Sequence, residues 1–248
     1  MALLPSQSVT FSVFFSGTHP QNPSELFVKA FGVEPEGVQT NRSGMVAGSP
    51  FIGIATGASG ENFARIHISH GRIDFIVEPI IPNDANSNSL VFTISTDVAL
   101  SFLQQAVSKV IPEMANIVRV AIITNLVDEQ SSADSAVSAI FSKVGIKFPA
   151  EDLTDVSFQL NKRLRLSNGI QANRLMRYNV VAFQKMFFNG SEPVPVSDER
   201  FSMLLTLDLN TVVDGTKFDA NQTIDIIGLL IEETIRITRA GDPSALLA

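Results

Sequence analysis

Cysteine and tryptophan are absent from this chain, tyrosine occurs once (Tyr178), and histidine occurs three times. Each shortage closes a class of chemistry. Without a thiol there is no disulfide, no thiolate nucleophile and no Cys-ligated zinc or iron–sulfur centre. Tyr and Trp are the usual anchors of exposed recognition surfaces, so their scarcity argues against a large aromatic paratope. Cations are also in deficit: 18 Lys and Arg against 25 Asp and Glu leave a net charge of −7. Binding a phosphate backbone without sequence preference needs concentrated Lys and Arg, and the global field opposes it. Long apolar runs are missing as well. No stretch approaches the roughly 20 apolar residues that span a bilayer. The start, Met1-Ala2-Leu3-Leu4-Pro5-Ser6, has no basic n-region, and the apolar residues of 9–15 alternate with Ser and Thr as in a strand. The expectation is a cytoplasmic chain with no membrane association, in which the sequons at Asn41, Asn189 and Asn221 carry no meaning.

What is present is a folding chain: 248 residues, 45% apolar and only 17% charged, enough for a substantial core. The 18 Phe rings have no polar tip and are expected to fill that core. Two distant segments read alike, Arg65-Ile66-His67-Ile68-Ser69-His70-Gly71 and Arg163-Leu164-Arg165-Leu166-Ser167-Asn168-Gly169. Each is a short alternating strand running into a tight turn.

The periodicity predicts a strand over 8–16, a helix over 25–31 capped by Ser24, and a strand over 51–56 after a Gly-rich loop. A hairpin follows, 62–69 with 72–79 about His70-Gly71. After a polar loop over 82–88 come a strand over 90–94 and a helix capped by Ser95 or Thr96, which Pro112 ends. The order then restarts with a strand over 117–127 and a helix from Ser132 to Gly145. A strand over 156–166 turns at Asn168-Gly169 into a long strand over 170–188, bulged near Asn179 where its apolar phase slips. A polar loop over 189–199 leads to a strand over 201–209. Asp219 and Gln222 resemble a capping box for a last helix running to about Arg239.

The chain is therefore read as α+β, a duplicated β-α-β-β-β-β-α unit. Residues 1–116 form the first repeat and 117–248 the second, joined near Asn116 in one pseudo-twofold unit. An antiparallel sheet carries helices on one side. This order of elements resembles the duplicated saddle of the TATA-box-binding-protein class, where a curved antiparallel sheet has helices on its convex side. The resemblance covers topology only, since no signature residues of that class are matched, and it transfers no function.

The candidate binding residues lie on the two hairpins. With His70-Gly71 as a two-residue turn, Arg65, His67, Arg72 and Asp74 share one surface, and Ile66, Ile68, Ile73 and Phe75 the other. In the second hairpin the same turn geometry sets Arg163 across from Arg174, with Arg165 on the same face. Opposed like charges are destabilising. The functional reading is an anion gripped by arginine forks; the structural one is neutralisation by Asp208 on the neighbouring strand, or by solvent. His67 opposite Asp74 suggests an oriented imidazole for acid–base work, but no nucleophile or oxyanion hole stands at definable spacing. His67 and His70, three apart on a strand and turn, do not converge on a metal, and no cofactor is implied.

The glycines at 44, 48, 53, 57 and 60 match neither Gly-x-x-x-x-Gly-Lys-Ser/Thr nor Gly-x-Gly-x-x-Gly, so turns and a bulged strand account for them better than a phosphate cradle. No Gly-x-Ser-x-Gly elbow occurs. Glu232 and Glu233 face different ways on the last helix, and Glu232 pairs with Arg236 at i,i+4. The functional expectation is a non-catalytic interaction protein that binds another protein or itself through its sheet face or edge. One alternative is nucleic-acid or anionic-ligand binding through the hairpin arginines. The other is an enzyme centred on His67 and Asp74.

Overall fold

The computed structural model describes residues 4–17, 22–41, 51–81, 91–151, 153, 156–184, 186–189, 192–195 and 199–240. In chain order the elements are β1 (Ser6–Phe15), α1 (Pro23–Phe31), β2 (Gly37–Thr40), β3 (Phe51–Ser59), β4 (Asn62–Ser69), β5 (Arg72–Pro79) and α2 (Thr96–Val110). Then follow β6 (Ile117–Gln130), α3 (Ala133–Val144), β7 (Ser157–Arg165), β8 (Gln171–Phe183), β9 (Met186–Asn189), β10 (Glu192–Pro195), β11 (Arg200–Thr211) and α4 (Ala220–Ala240).

Nine of the strands form one antiparallel sheet in the order β2-β3-β4-β5-β1-β6-β11-β8-β7. The fold is α+β. Its centre is the β1–β6 pair, where Phe11 opposes Ile122 and Val13 opposes Val120. Because side chains alternate along a strand, this register aligns one apolar row across the sheet. Ile73 and Phe75 on β5, Val13 and Phe11 on β1, and Leu207 and Leu209 on β11 all sit in a single buried core cluster. All four helices reach that cluster, through Phe27, Leu100, Ile140 and Leu230 among others. Among the described residues no helix packs on the opposite face.

Local chemistry explains where the helices begin. α1 starts two residues before the expected position. Asn22 rather than Ser24 is its cap, accepting a hydrogen bond from the Ser24 amide at 3.0 Å, because Pro23 fits the first helical position, where no amide is needed. Ser95 caps α2 in extended conformation without a side-chain bond; Thr96 Oγ1 instead donates to the Leu4 carbonyl at 2.6 Å, tying the helix to the first strand. Pro112 lies in the short 3-10 turn Ile111–Glu113 that ends α2, as its missing amide requires. α3 is closed by the Ser132–Ser135 capping box and by Gly145 in the left-handed region. At α4 the Asp219 carboxylate accepts from the Gln222 amide at 2.8 Å and Gln222 Oε1 accepts from the Asp219 amide at 3.0 Å, the expected reciprocal cap. Phe31 stacks on Phe102 with ring centroids 5.6 Å apart, joining α1 to α2.

Several expectations are corrected. β2 was not foreseen, because its four residues are all exposed and leave no apolar pattern to read. Of the expected strand over 90–94, the described residues 91–94 show a bridge between Ile94 and Ser6, while Leu90 and the polar loop over 82–88 lie outside the described residues. The long strand over 170–188 is two strands. β8 pairs with β11 without a register shift at Asn179, and the chain then leaves the sheet to make a separate two-stranded ribbon of β9 and β10. Pro193 and Pro195 within β10 lack amide donors, which suits a ribbon better than a central strand. Gly53 has a packing purpose: a Cβ there would meet Pro23 Cγ at 2.9 Å, so β3 carries glycine where the first turn of α1 presses on it. Gly44 and Gly48 lie outside the described residues.

The largest correction concerns the second hairpin. Asn168-Gly169 is not a two-residue turn. The Leu166 amide donates to the Ile170 carbonyl and the Gly169 amide to the Leu166 carbonyl, both at 2.8 Å, which encloses a three-residue loop with Gly169 at φ 86°. Asn168 spends its side chain inside that loop, accepting from the Ile170 amide at 3.2 Å. The register slips by one, so Arg174 opposes Lys162 and Arg163 opposes Asn173. A one-residue slip moves a side chain to the other face.

Candidate functional site

The first hairpin keeps its expected register. Ser69 opposes Arg72, His67 opposes Asp74, and Arg65 opposes Ile76. These residues lie on the helix-free face, while Ile66, Ile68, Ile73 and Phe75 fill the core. His67 and Asp74 do not form the expected couple, however. The buried Asp74 carboxylate accepts from Ser12 Oγ at 2.6 Å and from Arg72 Nε at 2.7 Å, both on the same oxygen. Arg72 also donates to Ser12 Oγ at 3.2 Å, which closes a triangle across β1 and β5. Arg65 pairs with Glu78 at 3.1 Å. Phe14 stands beside this network between two cations, with the Arg72 guanidinium 5.0 Å and the Arg119 guanidinium 4.9 Å from its ring centre.

Farther across the same face, polar side chains are linked from strand to strand. Asn125 donates to Ser8 Oγ at 2.9 Å and accepts from Thr206 Oγ1 at 2.9 Å, which joins β1, β6 and β11. Asn173 donates to Asn210 Oδ1 at 3.0 Å, and Asn210 donates to Asp208 at 2.8 Å. Asp208 is thus occupied with Asn210 and is not the counter-charge of the second hairpin. Leu175 and Val181 also fall on this face, opposite Asp208 and Ser202. Such pre-formed cross-strand bonds hold surface groups in place before anything binds.

One end of the face is hollow. A cavity of about 820 Å³ is lined by Phe63, Phe92 and Phe183, by Ile80 and Ile81, and by the Arg65–Glu78 pair. Ile81 is 65% exposed. Apolar side chains held open to solvent beside an ion pair give the site both a greasy wall and a charged orienting group. Of the seven hairpin candidates, Arg65 lines this cavity; His67 and Asp74 do not. Phe63 could have been found from the alternation of β4, whereas Phe92 and Phe183 come together with it only through the tertiary fold.

The seven hairpin candidates do not converge. Arg65, His67, Arg72 and Asp74 share the helix-free face on β4 and β5. Arg163 and Arg165 are exposed on β7, the outermost strand at the far edge. Arg174 turns to the helix layer, where it is 5% exposed and donates through Nη1 to Glu233 Oε1 at 2.7 Å. Sequence reasoning names Glu233 but does not foresee its pairing with Arg174. Glu233 also takes both Arg236 contacts at i,i+3, Nε to Oε2 and Nη2 to Oε1, each at 2.8 Å, in place of the expected Glu232–Arg236 pair. Burial pushes the Glu233 carboxyl pKa up, but hydrogen bonds from Arg236 and Arg174, together with their charges, hold it below the ordinary glutamate value. Among the described residues no three His, Asp or Glu side chains gather as a metal site, and no helix is long and apolar enough to cross a membrane. Compared with known proteins, the chain matches no family model, no curated protein and no solved structure, so its functional reading rests on this geometry.

Proposed function

We propose that this is a non-catalytic, cytoplasmic interaction protein that binds another protein, or a second copy of itself, through the helix-free face of its sheet. The observation that carries the reading is the cavity of about 820 Å³ walled by Phe63, Phe92 and Phe183 at one end of that face. Interfaces concentrate their energy where an anchor side chain enters a desolvated apolar pocket with a polar rim, and the Arg65–Glu78 pair supplies the rim. An anion surface spanning both hairpins has less support, because Arg65 and Arg72 already carry carboxylates and Arg174 faces the other way. Catalysis at His67 and Asp74 has less support too, since Asp74 is committed to Ser12 and Arg72. The cytoplasmic location remains an expectation from sequence, to be checked by cell fractionation.

We also read the chain as two copies of one unit, residues 1–116 and 117–248, resembling the saddle topology named above. The support is the order outward from the central pair, β1-β5-β4-β3 on one flank and β6-β11-β8-β7 on the other. The test of function is a comparison of variants. Immobilised wild-type chain is expected to retain a partner from extract of its source cells that Phe63→Asp loses and Arg163→Ala keeps. Light scattering separates the self-association case. A monomer whose captured proteins are the same for wild type and Phe63→Asp contradicts the reading.

A further inference from the structure

On the helix-free face, β1 meets a different feature at each of its ends. At Phe14 the register sets Arg72 of β5 on one side and Arg119 of β6 on the other, so the half-buried ring is flanked by two guanidiniums. Arg72 is answered by Asp74. Arg119 is not: its Nε meets no acceptor, and no carboxylate pairs with it, among the described residues. Back along the strand, roughly 20 Å away at about 3.4 Å per residue, Ser8 lines the cavity walled by Phe63, Phe92 and Phe183. Two carboxylates, Glu36 and Glu78, also line it. Glu78 is answered by Arg65, whereas Glu36 accepts from the Ala58 amide at 3.1 Å and has no cation beside it among the described residues. An arginine over a ring commonly serves to cover it, and an exposed glutamate is ordinarily solvated. Neither use accounts for an unanswered cation on an aromatic ring and an unanswered carboxylate at an aromatic hollow, both on one face of one strand.

We propose that the occupant of the cavity is a second copy of this chain, docked face to face about a two-fold axis that lies in the plane of contact and crosses β1. Such an axis lays the Phe14 end of each copy over the Ser8 end of the other, so the same contact is made twice. In each, the Phe14 ring enters the cavity of the other copy and Arg119 meets Glu36. The ring buries apolar surface against phenylalanine walls, and Arg119 is already ordered by its stacking, so little rotamer freedom is lost on pairing. A net charge of −7 per chain opposes the approach. At physiological ionic strength charges farther apart than about 8 Å are largely screened, and the contact itself joins opposite signs. The proposal rests on the reading of the helix-free face as the binding surface and narrows it to self-association.

Sedimentation velocity on the full chain tests it. The wild type is expected to show a monomer–dimer equilibrium. Arg119→Glu sets like charges at both contacts, and so does Glu36→Arg; each variant alone should dissociate about tenfold more readily or worse. Mixed in equal amounts, the two regain opposite signs at both contacts. With one variant carrying a fluorophore, the dimer should return as a heterodimer of the two. If Arg119→Glu melts early, Arg119→Gln should still weaken the dimer. A wild type that stays monomeric, variants that dimerise as the wild type does, or a mixture no tighter than its components overturns the proposal. A monomeric wild type that captures a protein which Phe63→Asp loses overturns this inference alone and leaves the interaction reading standing.

Discussion

Arg174 is an arginine pointing from a strand into the helix layer, and its neighbours must answer for that charge. Glu233 does so, and removing it would leave a buried guanidinium facing the one other cation that Glu233 had balanced. Breaking a buried pair from one side is far costlier than an exposed pair is worth. Glu233→Ala is therefore expected to lower unfolding free energy in urea by about 3–5 kcal/mol. Arg163→Ala, at an exposed position, should change it by no more than about 0.5 kcal/mol. Equal effects of the two would refute the pairing. The pH dependence follows from the same geometry. Because the folded-state pKa of Glu233 is depressed, its contribution is fully present above the ordinary glutamate pKa and is lost as pH falls through the lower folded value. The stability gap between wild type and Glu233→Gln should accordingly narrow in acid, and a gap that widens there would contradict the assignment.

Among the elements, the second hairpin shows how one backbone position decides where charges point. Gly169 at φ 86° sits in a region that costs an L-residue roughly 1–2 kcal/mol, so Gly169→Ala should destabilise by about that amount in thermal or urea unfolding. Deleting Ser167 would shorten the loop to two residues and force a choice between strain and a slipped register. Slippage would carry Arg174 out of the helix layer. The helix caps give a second check: Asp219→Ala should cost about 1 kcal/mol through the lost bond to the Gln222 amide. Much at this scale was legible in the sequence. Alternation located β4, β5 and β11, and the capping residues located the ends of α3 and α4. What could not be read was loop length at Asn168-Gly169, since the same dipeptide serves two- and three-residue hairpins whose registers differ by one. β2 escaped for a different reason: an exposed edge strand has no buried face to leave a pattern. The candidate site was half legible. Arg65 and its partner strand followed from alternation, but Phe92, Phe183 and Glu233 reach their sites from distant parts of the chain.

For the molecule as a whole, β1 and β6 join the two flanks along most of their length, and one core cluster runs beneath both. Cutting between the flanks would expose Val9, Phe11 and Val13 on one side and Val120 and Ile122 on the other, all buried in that cluster. Unfolding by calorimetry is thus expected in one cooperative transition, and two separate transitions would mean that the flanks are independent domains. The helices cover one face of the sheet; the other offers bonded polar rows and a cavity walled by phenylalanines. The claim that this face is the binding surface is tested most directly by oxidative side-chain footprinting of the chain free and in its assembled state, whether with a captured partner or with a second copy. The account predicts that Phe63, Phe92, Phe183 and Ile81 lose labelling on assembly while Phe102 and Phe141, on the helices, do not. Protection confined to the helices or to the β7 edge, with the four cavity residues labelled as before, would contradict it.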